Sequence, residues 1–134
     1  MSSGLIGSLP EDVVRSLESS AGMSPLSSSL VVTGKSGIRH SFTLGMKGPV
    51  SVALACDIVV SDPPVPINET MVLSLFIKVY DVNANNVVLC GVPSLTPEAK
   101  KLASQYKMVV LEAPDKEQVL AKLPEVLRKL PKER

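Results

Sequence analysis

Asp57 interrupts VSVALACDIVVS (residues 50–61), a run that is otherwise apolar on both faces of any strand it forms. A carboxylate in such a run is costly to bury unless a cation, a metal ion or hydrogen-bond donors compensate it. Asp57 therefore reads either as a site residue or as a strand-end acid that pairs with a lysine or caps a helix. His40 is the single histidine, so Ser-His-Asp or Cys-His catalysis would need it as the base. It shares a strand face with Phe42, Leu44 and Met46, which favours a hydrogen-bonded structural histidine near the edge of the core. GKSG (residues 34–37) contains Gly-Lys-Ser and invites comparison with a phosphate-binding loop. The first glycine of the full loop is missing, and the residues after GKSG look like a strand where that loop needs a helix, so the stretch reads as a flexible turn. Lys35, Ser36, Arg39 and His40 still place three potentially cationic groups and a hydroxyl in one glycine-flanked stretch. Together with Lys47 they are the candidate contacts to nucleic-acid phosphates, against the plainer reading of a solvated loop.

Composition narrows the partners. The chain has 134 residues, 45% of them hydrophobic, enough for one sizeable core. A net charge of +1 gives no global attraction to nucleic acid or to an anionic membrane, so such a partner must meet a local patch. No apolar run approaches the roughly 20 residues of a membrane span, and MSSGLIGSLPEDVV does not resemble a secretory signal, so the cytoplasm is the expected compartment. Cys56 and Cys90 lie in apolar strand-like runs and read as small buried hydrophobes in preference to a disulfide or a metal pair.

Residues 1–33 read as a short helix, opened by Pro10, Glu11 and Asp12, followed by a flexible serine-rich linker. Residues 34–130 form the α/β domain. GIRHSFTLGM and the run around Asp57 make a hairpin across Gly48-Pro49, and DPPVP (residues 62–66) ends the second strand because proline cannot donate to a ladder. Residues 69–82 carry helical spacing in Val72, Leu75, Phe76 and Val79 behind an Asn68 cap, although their β-branched content also permits a strand. NVVLCGV is a strand, Thr96-Pro97-Glu98 opens a helix, and MVVLEAP is another strand. Asp115 caps a last helix that Pro124 kinks or divides, and PKER is a frayed end. The expected fold is therefore α/β, with a mixed central sheet in which an N-terminal hairpin precedes parallel strands flanked by helices.

The stretch from residue 65 to 123 resembles the C-terminal half of the Mrr-type restriction endonuclease domain of the PD-(D/E)xK nuclease superfamily. INETMVLSLFIKVYDVNA, NVVLCGVP and LTPEAKKLASQYKMVVLEA carry the likeness, which spans roughly residues 34–127 as a degenerate, archaeal-type member. The resemblance implies a restriction-endonuclease-like fold in which active members hold a divalent metal with an upstream acid and an acid-x-lysine triplet. On this chain the triplet falls on Ala55, Cys56 and Asp57, with the upstream acid near Thr43. If residues 69–82 were the catalytic strand, Phe76 and Lys78 would occupy the triplet and Asp57 would be the upstream acid. Either register lacks a metal ligand, so Asp57 and Lys78 are vestigial candidates and no metal or other cofactor is expected.

The resulting expectation is a catalytically inactive nuclease-like domain that binds double-stranded DNA or a DNA-associated protein of the DNA-handling or transcription machinery. The scarcity of aromatics, namely Phe42, Phe76, Tyr80 and Tyr106, argues against base stacking with single strands. One alternative is an active Mg-dependent nuclease completed by Glu69, Asp81 or Glu112. Another is a small-molecule sensor using the loops at residues 91–94 and 113–115. Residues 69–82 belong either inside the monomer or in a homodimer interface.

Overall fold

The structure, a computed structural model, describes residues 2–62 and 65–131. Its elements run β1 (Ser2–Leu5), α1 (Glu11–Ala21), β2 (Ser27–Thr33), β3 (Arg39–Lys47), β4 (Val52–Asp62), α2 (Glu69–Val82), β5 (Ala84–Val92), α3 (Pro97–Gln105), β6 (Val109–Glu112) and α4 (Lys116–Arg128). The sheet order is β2-β3-β4-β5-β6, with β1 added alongside β4. β2, β3 and β4 pair antiparallel, whereas β4, β5 and β6 run parallel, so the mixed α/β fold expected from the residues is the fold observed. The prolines expected to end β4 (Pro63, Pro64) and the charged end from Lys132 lie outside the described residues.

β4 is the central strand because its side chains can be buried on both faces. Leu54, Cys56 and Ile58 pack with α1 and α4, while Ala55 and Val59 pack with α2 and α3. Helices α2, α3 and α4 each begin where a side chain satisfies a free amide: Asn68 accepts from Thr70 N–H at 3.1 Å, Thr96 from Ala99 N–H at 3.1 Å and Asp115 from Gln118 N–H at 2.9 Å. Pro124 lies inside α4 without dividing it. Residues 69–82 are helix, not strand. α2 buries Val72, Leu75, Val79 and Val82, yet Leu73, Ile77 and Tyr80 on its opposite side are 40%, 63% and 68% exposed. No helix among the described residues is long and apolar enough to cross a membrane.

The N-terminal 33 residues correct the sequence reading: they are no linker to a separate domain. The serine-rich stretch enters the sheet as β2, pairing Leu30 with Phe42 and Thr33 with Arg39. Leu9, Val14, Leu17, Ala21 and Leu26 lie in the same core as Leu54 and Leu123. An edge strand needs few apolar residues, so β2 buries only Leu30 and its serines leave no periodic signal. Ser28 Oγ accepts Leu9 N–H at 2.6 Å and Glu18 accepts Leu26 N–H at 2.7 Å, which fixes the chain on either side of α1. If α1 is integral to the core, Leu17→Ala costs about 2–5 kcal/mol in urea unfolding. A mobile appendage would give a change within about 0.5 kcal/mol.

Candidate functional site

β4 changes partner at Asp57. Its first half pairs with β3 as far as Leu44 opposite Cys56, and its second half pairs with β1 from Leu5 opposite Val59. Between the two, backbone ladder bonds are replaced by side chains. Asp57 Oδ1 accepts Thr43 N–H at 3.0 Å, Thr43 Oγ1 accepts Ile58 N–H at 3.2 Å and donates to the carbonyl of Ile6. Ile6 N–H closes the fork on the carbonyl of Ile58 at 2.8 Å. Among the described residues no buried side-chain nitrogen or oxygen lacks a partner.

The second carboxylate oxygen of Asp57 meets Lys78, which reaches down from the third turn of α2. Lys78 Nζ stands 2.6 Å from Asp57 Oδ2, 2.9 Å from the carbonyl of Ser41 and 4.8 Å from the centre of the Phe42 ring. The Asp57 side chain is 4% exposed and that of Lys78 18%, so this is a pair largely withdrawn from water. Asp57 is paired with a lysine, as one of the two readings had it, but in the middle of β4 and not at a strand end. Thr43 lies beside Asp57 and supplies a hydroxyl and an amide there, with no carboxylate. The second register fails, because residues 69–82 form a helix, although it did bring Lys78 and Asp57 together.

A second cluster ties the β2–β3 turn to the C-terminal end of α2. Asp81 accepts Ser36 N–H at 2.9 Å and Ser36 Oγ–H at 2.6 Å, and His40 Nε2 lies 2.8 Å from the same carboxylate. Lys35 N–H adds a bond of 3.0 Å to the Asp81 carbonyl. Gly34 is required here, since a Cβ would stand 2.0 Å from Asp81 Oδ2. These hydrogen bonds, Ser36 foremost and then His40, lower the Asp81 carboxyl to about 2. The order differs from that of a catalytic triad, in which histidine bridges serine and acid. Here the acid bridges serine and histidine, and an internal carboxylate takes the loop groups that a phosphate would need.

The five candidate nucleic-acid contacts are not one surface. Ser36 and His40 are held by Asp81, Lys35 and Arg39 are exposed around the turn, and Lys47 ends the same strand eight residues from Arg39, roughly 26 Å away. The acids named as completing a nuclease site are also dispersed. Glu112 accepts Leu95 N–H at 2.8 Å and lies 3.5 Å from Lys100, and Glu69 is two and a half turns from Lys78, roughly 13 Å along α2. No group of three or more His, Cys, Asp or Glu able to share a cation occurs among the described residues. Beyond β5, Leu95 fills the space against Gly91, where a Cβ would come within 2.3 Å of it. Cys56 and Cys90 are free and buried, their sulfurs 4.0 Å apart, and the contact with Cys90 together with burial raises the Cys56 thiol.

Sequence reasoning missed an aromatic row. Phe76 stacks on Tyr106 with ring centres 3.9 Å apart and lies 5.9 Å from Tyr80, while Lys35 Nζ is 5.1 Å from the Tyr80 ring centre. These residues line a groove of about 320 Å³ with Asn83 and Lys107. The spacing of Phe76 and Tyr80, four apart on a helix, was the one signal in the sequence; Tyr106 is brought in only by the fold.

No family model matches the chain, and no curated protein matches it. The chain is similar to a solved structure described as "Crystal Structure of Protein of Unknown Function AF1548", at 15% identity and a TM-score of 0.60. The match covers 74% of this chain and 53% of the other, so this chain spans about half the length of its neighbour. At that identity the likeness concerns the fold alone.

The Asp81 carboxyl sits at about 2 when folded and 3.8 when not, so the folded state binds fewer protons between those values. Its contribution is complete above pH 3.8 and is lost as pH falls through about 2. Urea midpoints measured across that window should fall more steeply with decreasing pH for the wild type than for Asp81→Asn. Parallel curves would show that the cluster does not hold the carboxyl down.

Proposed function

We propose that this chain is a nuclease-like α/β domain that does not cleave and serves as a binding platform for DNA. One observation carries the reading: both oxygens of Asp57 are engaged within the fold, one by the Thr43 amide and the other by the Lys78 ammonium. A carboxylate so placed is held as a structural anion, with a cation already at the position where a metal would be needed. The Mrr-type resemblance supplies the nucleic-acid expectation, and the β2–β3 turn supplies a surface for it. Lys35 and Arg39 are exposed there, on a turn that Asp81 fixes through Ser36 and His40. Fixed cations lose less freedom on meeting phosphates than mobile ones do.

A protein of the DNA-handling machinery, or a second copy in a homodimer, is the competing partner. The observation that favours it is the exposed apolar side of α2 formed by Leu73, Ile77 and Tyr80.

Fluorescence anisotropy with a blunt DNA duplex should show binding that weakens as salt rises. Lys35→Gln and Arg39→Gln should each reduce the log–log salt slope by about one. Plasmid and linear DNA should remain intact in magnesium or manganese. Metal-dependent cleavage abolished by Asp57→Ala would overturn the non-cleaving assignment, and duplex affinity unaffected by both substitutions would overturn the binding surface.

A further inference from the structure

The four aromatic side chains of this chain are too few to suggest base stacking from composition, but three of them are gathered in one place. Phe76, Tyr80 and Tyr106 form a row at the C-terminal ends of α2 and α3, and Tyr80 ends that row with 68% of its surface open. The groove beside it is lined by two lysines, Lys35 and Lys107, and by Asn83, with no carboxylate among its lining residues. The nearest acid in sequence, Asp81, is held by Ser36 and His40.

The backbone adds an independent observation. α2 and α3 both run into left-handed residues at this groove, Asn83 with φ 59° and Lys107 with φ 61°. Asparagine is common in that conformation, whereas a residue with a long side chain is disfavoured and glycine is the usual occupant. Strain of this kind, kept at a cleft, points to use of the side chain that causes it. Lys107 is exposed and lines the groove together with Lys35.

We infer that this groove takes one unpaired nucleotide of a single-stranded DNA segment, the base stacking on Tyr80 and the adjoining phosphates lying against Lys35 and Lys107. The inference rests on the proposed nucleic-acid function and names a second, distinct mode of contact. A planar base over an exposed phenol ring extends the row that Phe76 and Tyr106 begin. The Lys35 ammonium lies over the Tyr80 ring, 5.1 Å from its centre; an incoming base takes that place on the ring, and the flexible lysine turns to the phosphate beside it. With no carboxylate in the lining, the polar side chains a phosphate meets in the groove are those of Lys35, Lys107, Asn83, Asn85, Tyr80 and Tyr106. Stacking does not depend on which base is present, so little sequence preference is expected.

The test uses the full chain and a fluorescein-labelled twelve-residue oligo-dT, with a blunt duplex and free dTMP as comparisons. Tyr80→Ala is expected to weaken oligo-dT binding roughly tenfold, and Tyr80→Trp to restore it. Lys107→Gly relieves the backbone strain, so it should raise the urea midpoint while weakening oligo-dT binding and lowering the salt slope by about 0.7. A purely structural Lys107 would gain stability without losing affinity. Blunt-duplex affinity should be unchanged in Tyr80→Ala and in Lys107→Gly, which separates this groove from the hairpin surface. Oligo-dT affinity unmoved by Tyr80→Ala, or absent in the wild type, overturns the inference and leaves the duplex reading standing. Displacement of oligo-dT by dTMP at equal concentrations would overturn the assignment to a strand in favour of a free nucleotide.

Discussion

The structure turns on the fork in the sheet at Asp57. A central strand that loses one neighbour and gains another leaves two or three backbone groups without ladder partners, each costing about 1–3 kcal/mol if buried and unsatisfied. Thr43 and Asp57 meet that demand with side chains in place of backbone. The carboxylate drawn into the core by this role then requires a cation, and Lys78 provides it from α2. The same lysine holds the Ser41 carbonyl, so β3 is carried away from β4 and toward the helix. The β2–β3 turn consequently meets Asp81, and Lys35 comes to the Tyr80 ring. The contact of the basic turn with Tyr80 belongs to that arrangement, whereas the Phe76–Tyr106 stack is made by α2 and the end of α3.

Several parts of this arrangement were legible in the residues. A strand apolar on both faces, the Thr96-Pro97 helix start and the Asp115 cap each carry a local physical signal strong enough to survive folding. β1 and β2 do not. One pairs with the strand edge that β3 vacates, and the other is an edge strand whose Ser28 accepts the amide of Leu9. α2 was ambiguous because it is apolar nearly all round, and its Asn68 cap decided the matter. Asp57 was legible as a problem with two solutions. Its partner Lys78 was named only through a register that made residues 69–82 a strand, because it lies 21 residues downstream on an element whose placement the sequence leaves open. The basic stretch around residue 35 looked like one patch in sequence and is divided in space by the length of β3 and by Asp81.

The functional reading depends on this difference between local and long-range information. In the nuclease-like reading, the position that would hold a reactive ion is filled by an internal ion pair, which converts a site of chemistry into a joint of the scaffold. The hairpin carries cations, and the C-terminal ends of α2 and α3 carry an aromatic row beside it. Under the proposed function, recognition rests on shape and charge presented by the scaffold.

The most direct measurement is a double-mutant cycle between Asp57 and Lys78, using Asp57→Ala, Lys78→Met and the double variant in urea unfolding. If the carboxylate and the ammonium serve each other inside the fold, either single change leaves a buried charge unpaired and the double change relieves it. The predicted coupling is on the order of 2 kcal/mol. Additivity within about 0.5 kcal/mol would show that the two groups act independently, and the account of Asp57 as a structural anion would be wrong.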